Sequence, residues 1–376
     1  MQGTLIEGGE LFDPAPRGRT SVLLVHDRIV AVGELSAEAL ERAGFELERV
    51  DARDCMVLPG LIDAHEHLIG GSGERGFASQ TPEIQLAELA VGGITSVVGC
   101  LGVDTTTRTP EALLAKVKGL RAEGIGACCY AGGYDVPPVT LTGSVSRDML
   151  LVEEVIGAGE IAISDMRSSQ PTVDELARVV ADAYVGGLLT GKAGITHFHV
   201  GDGERRLAPL HALLTQHDIE ARSLYPTHVE RSAALLKEAA LITRLGVTVD
   251  VDVVEGDLAK SVSDFTQAGG SLEHLTASSD AAITAPSSLF AQVADVIRGG
   301  VCSITEALCL VTRNPARVLR LRDRGALAEG LRADVVITNP PAFAIREVWA
   351  SGRRLVRAGV AVAEPAWREH STRSLV

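Results

Sequence analysis

Scarcity is informative in this chain of 376 residues, because several residue types that are usually common occur rarely. There are only seven Phe, four Tyr and two Trp, so a large core must be filled with Val, Ile, Leu and Ala, as in parallel strands buried under helices. Lysine occurs at five positions only, which are 116, 118, 192, 237 and 260. No uncharged apolar run approaches the ~18 residues of a membrane-spanning helix, so we expect no membrane partner.

Positive charge and paired cysteines are also in short supply. The chain has 35 Lys+Arg against 49 Asp+Glu and no basic block, so nucleic acids and anionic membranes are not expected partners. The six cysteines form no CxxC pair, which indicates free thiols in a reducing compartment. The first residues lack the basic and apolar regions of a signal peptide, so we expect a cytoplasmic protein.

The two ends of the chain share a β-rich pattern that the middle lacks. Residues 1–55 and 327–376 contain short β-rich segments separated by turns. The simplest arrangement pairs the two ends in one small β-sandwich domain. A separate domain is then expected at residues 56–326.

The middle of the chain alternates between two patterns. Eight short apolar runs end in polar residues, and amphipathic stretches with helix-start signals lie between them. Three such signals place Thr at an expected N-cap, in Thr81-Pro82-Glu83, Thr109-Pro110-Glu111 and Thr172-Val173-Asp174-Glu175. The pattern predicts an α/β fold with a (β/α)8 TIM-like barrel. A doubly wound sheet would want a Gly-rich phosphate loop after its first strand, where this chain carries histidines instead.

Active sites of such barrels lie at the carboxyl ends of the strands, where this chain places metal-binding residue types. Period-two alternation puts His65 and His67 on one face after the first run, where two imidazoles can bind one ion. Glu160 faces inward on the fourth run, and His199 lies nearer the strand end than His197 on the fifth. The full predicted ligand set is His65, His67, Glu160, His199, His228 and Asp280.

Four imidazoles and two carboxylates suit two borderline-soft divalent ions that share one carboxylate. Such a pair lowers the pKa of a bridging water and polarises a substrate carbonyl. Asp280 is then expected to act as the general base on that water and to return the proton to a leaving amine.

These residues resemble a known family. The HxH motif, the single histidines of the fifth and sixth runs and the aspartate of the eighth are similar to the amidohydrolase superfamily, as are Asn314-Pro315-Ala316-Arg317 and Gly330-Leu331-Arg332-Ala333-Asp334. Within it, the chain most resembles the isoaspartyl (β-aspartyl) dipeptidases, through residues 67–74, 136–138, 142–144, 162–165 and 226–229.

The resemblance implies a binuclear zinc hydrolase that cleaves the β-aspartyl amide bond of small dipeptides and assembles as a homo-oligomer. It implies that Glu74 binds the α-ammonium of the substrate and that Tyr134 assists carbonyl polarisation. It assigns the substrate carboxylates to Arg167 and Arg231, which agrees with the bidentate geometry of guanidinium groups.

The chain departs from the family pattern in three places. Many relatives bridge their metals with a carboxylated lysine, but no lysine lies near Glu160, so we expect Glu160 itself to be the bridge. Val103 stands where the dipeptidases tend to carry a threonine. The loop after Asp280 is not a Gly-rich turn with a serine, and Thr284 is the residue that offers a hydroxyl there.

Two other functions fit parts of the sequence. One is a sibling amidohydrolase that acts on another small amide, such as an N-acyl amino acid or a cyclic amide or imide. Another is a metal-free assembly protein of the same superfamily, which predicts lost ligands, whereas all six are present. The combination of Glu74, Arg167 and Arg231 favours a zwitterionic dicarboxylate, and therefore the dipeptidase.

Overall fold

The computed structural model describes residues 1–71, 73–254 and 256–371. The chain begins with β1 (Gln2–Asp13), β2 (Ala15–Val25), β3 (Arg28–Gly33), α1 (Ala37–Arg42), β4 (Glu46–Asp51) and β5 (Met56–Pro59). The central strands are β6 (Leu61–Glu66), β7 (Ile94–Gly99), β8 (Gly126–Ala131), β9 (Val155–Ile163), β10 (Ile195–Val200), β11 (Leu224–Thr227), β12 (Val249–Asp252) and β13 (Leu275–Ser278).

Helices separate the central strands. They are α2 (Leu86–Val91), α3 (Pro110–Ala122), α4 (Val145–Leu151), α5 (Val173–Thr190), α6 (Ala208–Gln216), α7 (Ala233–Ile242), α8 (Leu258–Gln267), α9 (Ser287–Arg298), α10 (Ile304–Cys309) and α11 (Arg313–Val318). Short 3₁₀ turns lie at Phe77–Ser79, Ala221–Ser223, Thr243–Leu245, Leu272–His274 and Ala366–His370. The chain continues through β14 (Val335–Asn339), β15 (Ala344–Ala350), β16 (Arg353–Arg357) and β17 (Val360–Ala361).

The eight central strands confirm the predicted barrel. β6 to β11 form a six-stranded parallel sheet, and β12 pairs in parallel with β13. A parallel bridge between Glu66 and Ala281 joins the first strand of the barrel to the residues that follow the last. The buried carboxyl of Asp63 strengthens this junction, because it accepts hydrogen bonds from the backbone N–H groups of Ser279 and His65.

The two chain ends pair as predicted, in a single nine-stranded sheet. β5 pairs in parallel with β1 and antiparallel with β14, so the two terminal segments meet at β5. β5 thus belongs to this sheet, although the predicted barrel domain begins at residue 56. The core of the sheet domain is apolar and is centred on Trp349, which is fully buried beside Ile6, Leu24 and Ile337.

Local helix signals are correct at two of the three predicted starts. Thr109 and Thr172 cap α3 and α5, and Thr172 forms a capping box with Glu175. The prediction at Thr81 is wrong, because α2 begins only at Leu86. The Thr81 hydroxyl instead accepts a hydrogen bond from the backbone N–H of Gly71, so this segment is held along the loop that follows His67.

α11 closes the end of the barrel that lies opposite the carboxyl ends of its strands. Ala316 of this helix packs with Leu319 against the interior residues Tyr130, Ile156 and Tyr225.

All six cysteines are free thiols, as predicted. Among the helices in the described part of the chain, none is both long enough and apolar enough to cross a membrane.

Candidate metal centre and substrate pocket

The six predicted ligands come together at the carboxyl ends of the barrel strands. His65 lies near the end of β6, Glu160 and His199 lie within β9 and β10, and the other three follow β6, β11 and β13 within two residues. All six residues are buried, with none above 9% exposure, so their polar atoms must find partners within the protein or in a bound ion. They are His65, His67, Glu160, His199, His228 and Asp280.

One half of the cluster has the spacing of a tetrahedral metal site. His65 Nε2 lies 3.4 Å from Glu160 Oε2 and 3.5 Å from Asp280 Oδ1, and His67 Nε2 lies 3.8 and 3.2 Å from the same two oxygens. An ion with bonds of ~2.0–2.1 Å places its tetrahedral ligands roughly 3.4 Å apart. These separations are long for hydrogen bonds and fit ligands of a common cation.

Unpartnered atoms in this half of the cluster support the same conclusion. His65 Nε2, Glu160 Oε2 and Asp280 Oδ1 are buried and have no hydrogen-bond partner. Orphaned buried polar atoms are costly, and three of them converging on one point is the arrangement that a bound cation satisfies. The residues present therefore fit a divalent metal ion.

The other half of the cluster uses the second oxygen of Glu160. Oε1 lies 2.8 Å from His199 Nδ1 and 3.0 Å from His228 Nε2. Glu160, His199 and His228 thus form a second group with metal-ligand spacing, next to the group that contains His65 and His67. One carboxylate therefore faces both groups with different oxygens.

Three residues that the sequence analysis did not name contact the outer ring nitrogens of the histidines. Asp252 Oδ2 lies 2.6 Å from His228 Nδ1, and Cys100 Sγ lies 3.8 Å from His67 Nδ1. Asp165 Oδ2 lies 3.0 Å from His199 Nε2. Burial alone would lower the pKa of His228, but the carboxylates of Asp252, Glu160 and Asp280 together outweigh burial and raise that pKa to about 9.

The sequence contained a signal for two of these partners. Asp252 ends the seventh apolar run, and the alternation in Asp250-Val251-Asp252 places both carboxylates on one face. Asp165 ends the fourth run, two residues before Arg167. Carboxylates that contact the second nitrogen of a metal-binding histidine orient the ring and raise its basicity. Cys100 gave no signal that distinguishes it from a core thiol.

His199 is contacted by the predicted catalytic Tyr134 and by two predicted substrate-binding residues, Arg167 and Arg231, and a third, Glu74, pairs with Arg167. The hydroxyl of Tyr134 lies 2.8 Å from His199 Nδ1, and burial raises its pKa well above the ordinary value, so it remains a protonated donor. Arg231 Nη1 lies 3.2 Å from His199 Nε2 and donates to the carbonyl of Val200. Arg167 contacts the same nitrogen at 2.9 Å and forms an ion pair with Glu74 at 2.6 Å.

The other two predicted substrate-binding residues lie further along the pocket loops. The Thr284 hydroxyl donates to the carbonyl of Ser279, so it is engaged within its own loop. Val103 is partly buried and follows Gly102. A Cβ added to Gly102 would lie 3.0 Å from His67 Cε1 and 3.8 Å from Tyr134 Cε1, so the backbone before Val103 borders both the metal cluster and Tyr134.

Comparison with known proteins agrees with the fold and the metal cluster. The model of the amidohydrolase family matches residues 56–355, so the chain belongs to the amidohydrolase family. It is a metal-dependent hydrolase.

Its solved relatives include a β-aspartyl dipeptidase from Fervidobacterium islandicum AW-1, which is 38% identical with a TM-score of 0.91 over 96% of this chain and 98% of that one. The same enzyme in complex with the β-Asp-Leu dipeptide has a TM-score of 0.88 at the same identity and coverage. A dihydroorotase of Lactococcus lactis is 25% identical over 89% of each chain. The predicted superfamily and its dipeptidase resemblance are thus confirmed.

Proposed function

We propose that this protein hydrolyses the β-aspartyl (isoaspartyl) amide bond of dipeptides, with two zinc ions bridged by Glu160. The observation that carries the proposal is the placement of two guanidinium groups and one carboxylate, those of Arg167, Arg231 and Glu74, beside the buried ligand cluster. We also propose that it is a cytoplasmic homo-oligomer, which is what its resemblance to the dipeptidases implies.

The proposed metal ligands divide into two groups that share Glu160. His65, His67 and Asp280 would hold one ion, and His199 and His228 would hold the other. When bound, two such ions supply Lewis acidity toward a water and toward a carbonyl oxygen. The imidazole-rich donor set favours zinc among the divalent ions.

We assign the proton transfer of the proposed reaction to Asp280. Burial would raise its pKa, but His65, His67 and His228 outweigh burial and lower it, so the carboxylate stays ionised and can accept a proton. We propose that Asp280 accepts the proton of the attacking water and delivers it to the leaving amine. Tyr134 donates its hydroxyl hydrogen toward the carbonyl oxygen as negative charge develops there.

The substrate half of the pocket matches the charges of a β-aspartyl group. Such a group carries an α-ammonium next to an α-carboxylate. Glu74 and Arg167 offer the opposite charges, and they are partly exposed, with side-chain exposures of 45% and 32%. The substrate can exchange their mutual ion pair for two pairs to itself, while Arg231 remains for the second carboxylate.

A substrate panel with an Asp280→Asn variant tests the proposal. The wild-type enzyme is expected to turn over β-Asp-Leu in preference to α-Asp-Leu, N-acyl-aspartate and dihydroorotate. The Asp280→Asn enzyme is expected to bind β-Asp-Leu but to lose turnover. A fully active Asp280→Asn enzyme contradicts the assigned role of this carboxylate.

A sibling amidohydrolase activity is the second candidate. It is favoured by Val103 and by the loop from Asp280 to Thr284, since both depart from the dipeptidase pattern, and by the similarity to a dihydroorotase. Preference for a cyclic or N-acyl amide in the same panel, with negligible β-Asp-Leu turnover, would support this candidate.

A further inference from the structure

Asp165 is a buried carboxylate that touches both halves of the site. Its side chain is 8% exposed. Oδ2 lies 3.0 Å from His199 Nε2 and 2.7 Å from Arg167 Nη2. Oδ1 accepts from the backbone N–H of Arg167 at 2.7 Å and from its Nε at 3.0 Å. The same carboxylate therefore contacts a metal-cluster histidine and holds the guanidinium fork of a substrate-binding arginine.

Asp165 is the nearest acceptor for a hydrogen on His199 Nε2, at 3.0 Å, whereas the Tyr134 hydroxyl lies further away at 3.5 Å. Arg167 Nη2 lies 2.9 Å away and Arg231 Nη1 lies 3.2 Å away, and guanidinium groups have no acceptor. A hydrogen on Nε2 is therefore accepted by Asp165, whose charged oxygen lies closer than the Tyr134 hydroxyl. The other ring nitrogen, Nδ1, lies 2.8 Å from both Glu160 Oε1 and the Tyr134 hydroxyl and faces the ligand cluster.

Without this carboxylate, the two guanidinium groups would decide the state of the imidazole. They would donate to Nε2, which would move the ring hydrogen to Nδ1, where it blocks a metal ion. With Asp165 present, the hydrogen stays on Nε2 and Nδ1 is free. The choice of tautomer at His199 is thus a balance between Asp165 on one side and, on the other, the two arginines at Nε2 and the Glu160 acceptor at Nδ1.

We propose that Asp165 is a positioning residue that couples the metal centre to the substrate-carboxylate site. It holds His199 in the tautomer that binds a metal through Nδ1, and it aims the Arg167 fork at the substrate. The second part rests on the function proposed above, whereas the first part concerns metal binding alone.

Metal affinity tests the first part without any substrate. Zinc affinity is measured by chelator competition on the folded protein, and the absorption of the Co²⁺-loaded protein reports the ligand set. Asp165→Asn is expected to weaken the binding of one of the two ions about 10–100-fold, which is the usual effect of losing a carboxylate partner of a metal-binding histidine. Asp148→Asn is the matched control, because Asp148 is a buried carboxylate that accepts from the backbone N–H groups of Leu141 and Thr142, away from the cluster.

Removal of both arginines provides a second test of Asp165. A purely structural role of Asp165 would not give the result that we expect from it. In an Arg167→Met/Arg231→Met background, no guanidinium competes for Nε2, and Asp165→Asn is expected to change zinc affinity far less than in the wild type. An equal loss in both backgrounds, or an equal loss in Asp148→Asn, overturns the tautomer assignment. Wild-type affinity in Asp165→Asn overturns the whole proposal.

Asp165→Glu keeps the charge and serves if Asp165→Asn does not fold. It is expected to retain zinc affinity better than the neutral variant but to raise KM for β-Asp-Leu, because the longer side chain shifts the Arg167 fork. If Asp165→Glu weakens zinc binding as much as we expect of Asp165→Asn, the carboxylate charge does not have the role assigned to it. If β-Asp-Leu proves not to be a substrate, the affinity measurements still decide the role of Asp165 at the metal centre.

Discussion

Replacement of Glu160 by Gln tests the bridging carboxylate most sharply. The Gln side chain has nearly the same size, but one oxygen becomes an NH₂ group, which donates only and cannot bind a cation. Both oxygens of Glu160 are used in the structure, Oε1 toward His199 and His228 and Oε2 toward His65. Either orientation of the amide therefore removes a ligand from one of the two groups.

The expected change in apparent Tm follows from the thermodynamic coupling between metal binding and folding. At a free zinc concentration 100-fold above its Kd, one ion adds about 2.7 kcal/mol to the free energy of unfolding, so two independent ions add about 5 kcal/mol. At ~2 °C per kcal/mol, the wild-type apparent Tm is expected to be about 10 °C higher in zinc than in EDTA. About half of this difference, the share of one ion, is expected to vanish in Glu160→Gln.

The assay compares apparent Tm in zinc and in EDTA and measures bound zinc by elemental analysis. The difference between the two buffers separates metal binding from any direct effect of the substitution on folding. Glu154→Gln is the matched control, because Glu154 is a buried barrel carboxylate whose partner is Lys118 at 2.7 Å. It is expected to lower Tm in both buffers and to keep the difference. A Glu160→Gln protein with two zinc ions and the full Tm difference refutes the bridging role.

Three further substitutions probe other parts of the protein. Tyr134→Phe is expected to lower kcat for β-Asp-Leu about 10²–10³-fold with unchanged zinc content, as for loss of an oxyanion donor, and unchanged kcat in steady-state assays contradicts that role. Arg231→Met is expected to raise KM about 10–100-fold, since a charged hydrogen-bond pair of ~1.5–3 kcal/mol is lost, and an unchanged KM would argue against carboxylate binding there. Trp349→Ala removes the largest fully buried side chain of the sheet domain and is expected to cost about 3–5 kcal/mol in denaturant unfolding. A cost below ~1 kcal/mol would show that this core contributes little.

The strand ends and the helix starts at Thr109 and Thr172 could be predicted because they depend on local pattern. Alternation along an apolar run is enough to place His65 and His67 on one face, and an N-cap such as Thr109 acts within three residues of itself. Thr81 has the same local motif and starts no helix, because its hydroxyl and backbone bond to Gly71 instead. A tertiary contact of this kind competes with the local preference and is invisible in a short window of sequence.

The partners of the metal-cluster histidines could not be predicted for the same reason. Asp252 contacts His228 across 24 residues, and Asp165 contacts His199 across 34, so each pair exists only once neighbouring strands are in register. The register shift between β9 and β10 near Thr196 is part of what sets the second pair. Sequence pattern located the carboxylates at strand ends but could not say which ring nitrogen each would meet.

The ratio of kcat/KM for β-Asp-Leu to that for α-Asp-Leu tests the central claim most directly. The two dipeptides have the same composition and charge, but only the β-linked one presents its α-ammonium and α-carboxylate together to Glu74 and Arg167 while its amide lies at the metal cluster. Loss of one such charged contact costs ~1.5–3 kcal/mol, so the zinc-loaded enzyme is expected to prefer β-Asp-Leu by on the order of 100-fold. Equal turnover of both dipeptides, or turnover of neither, would contradict the account.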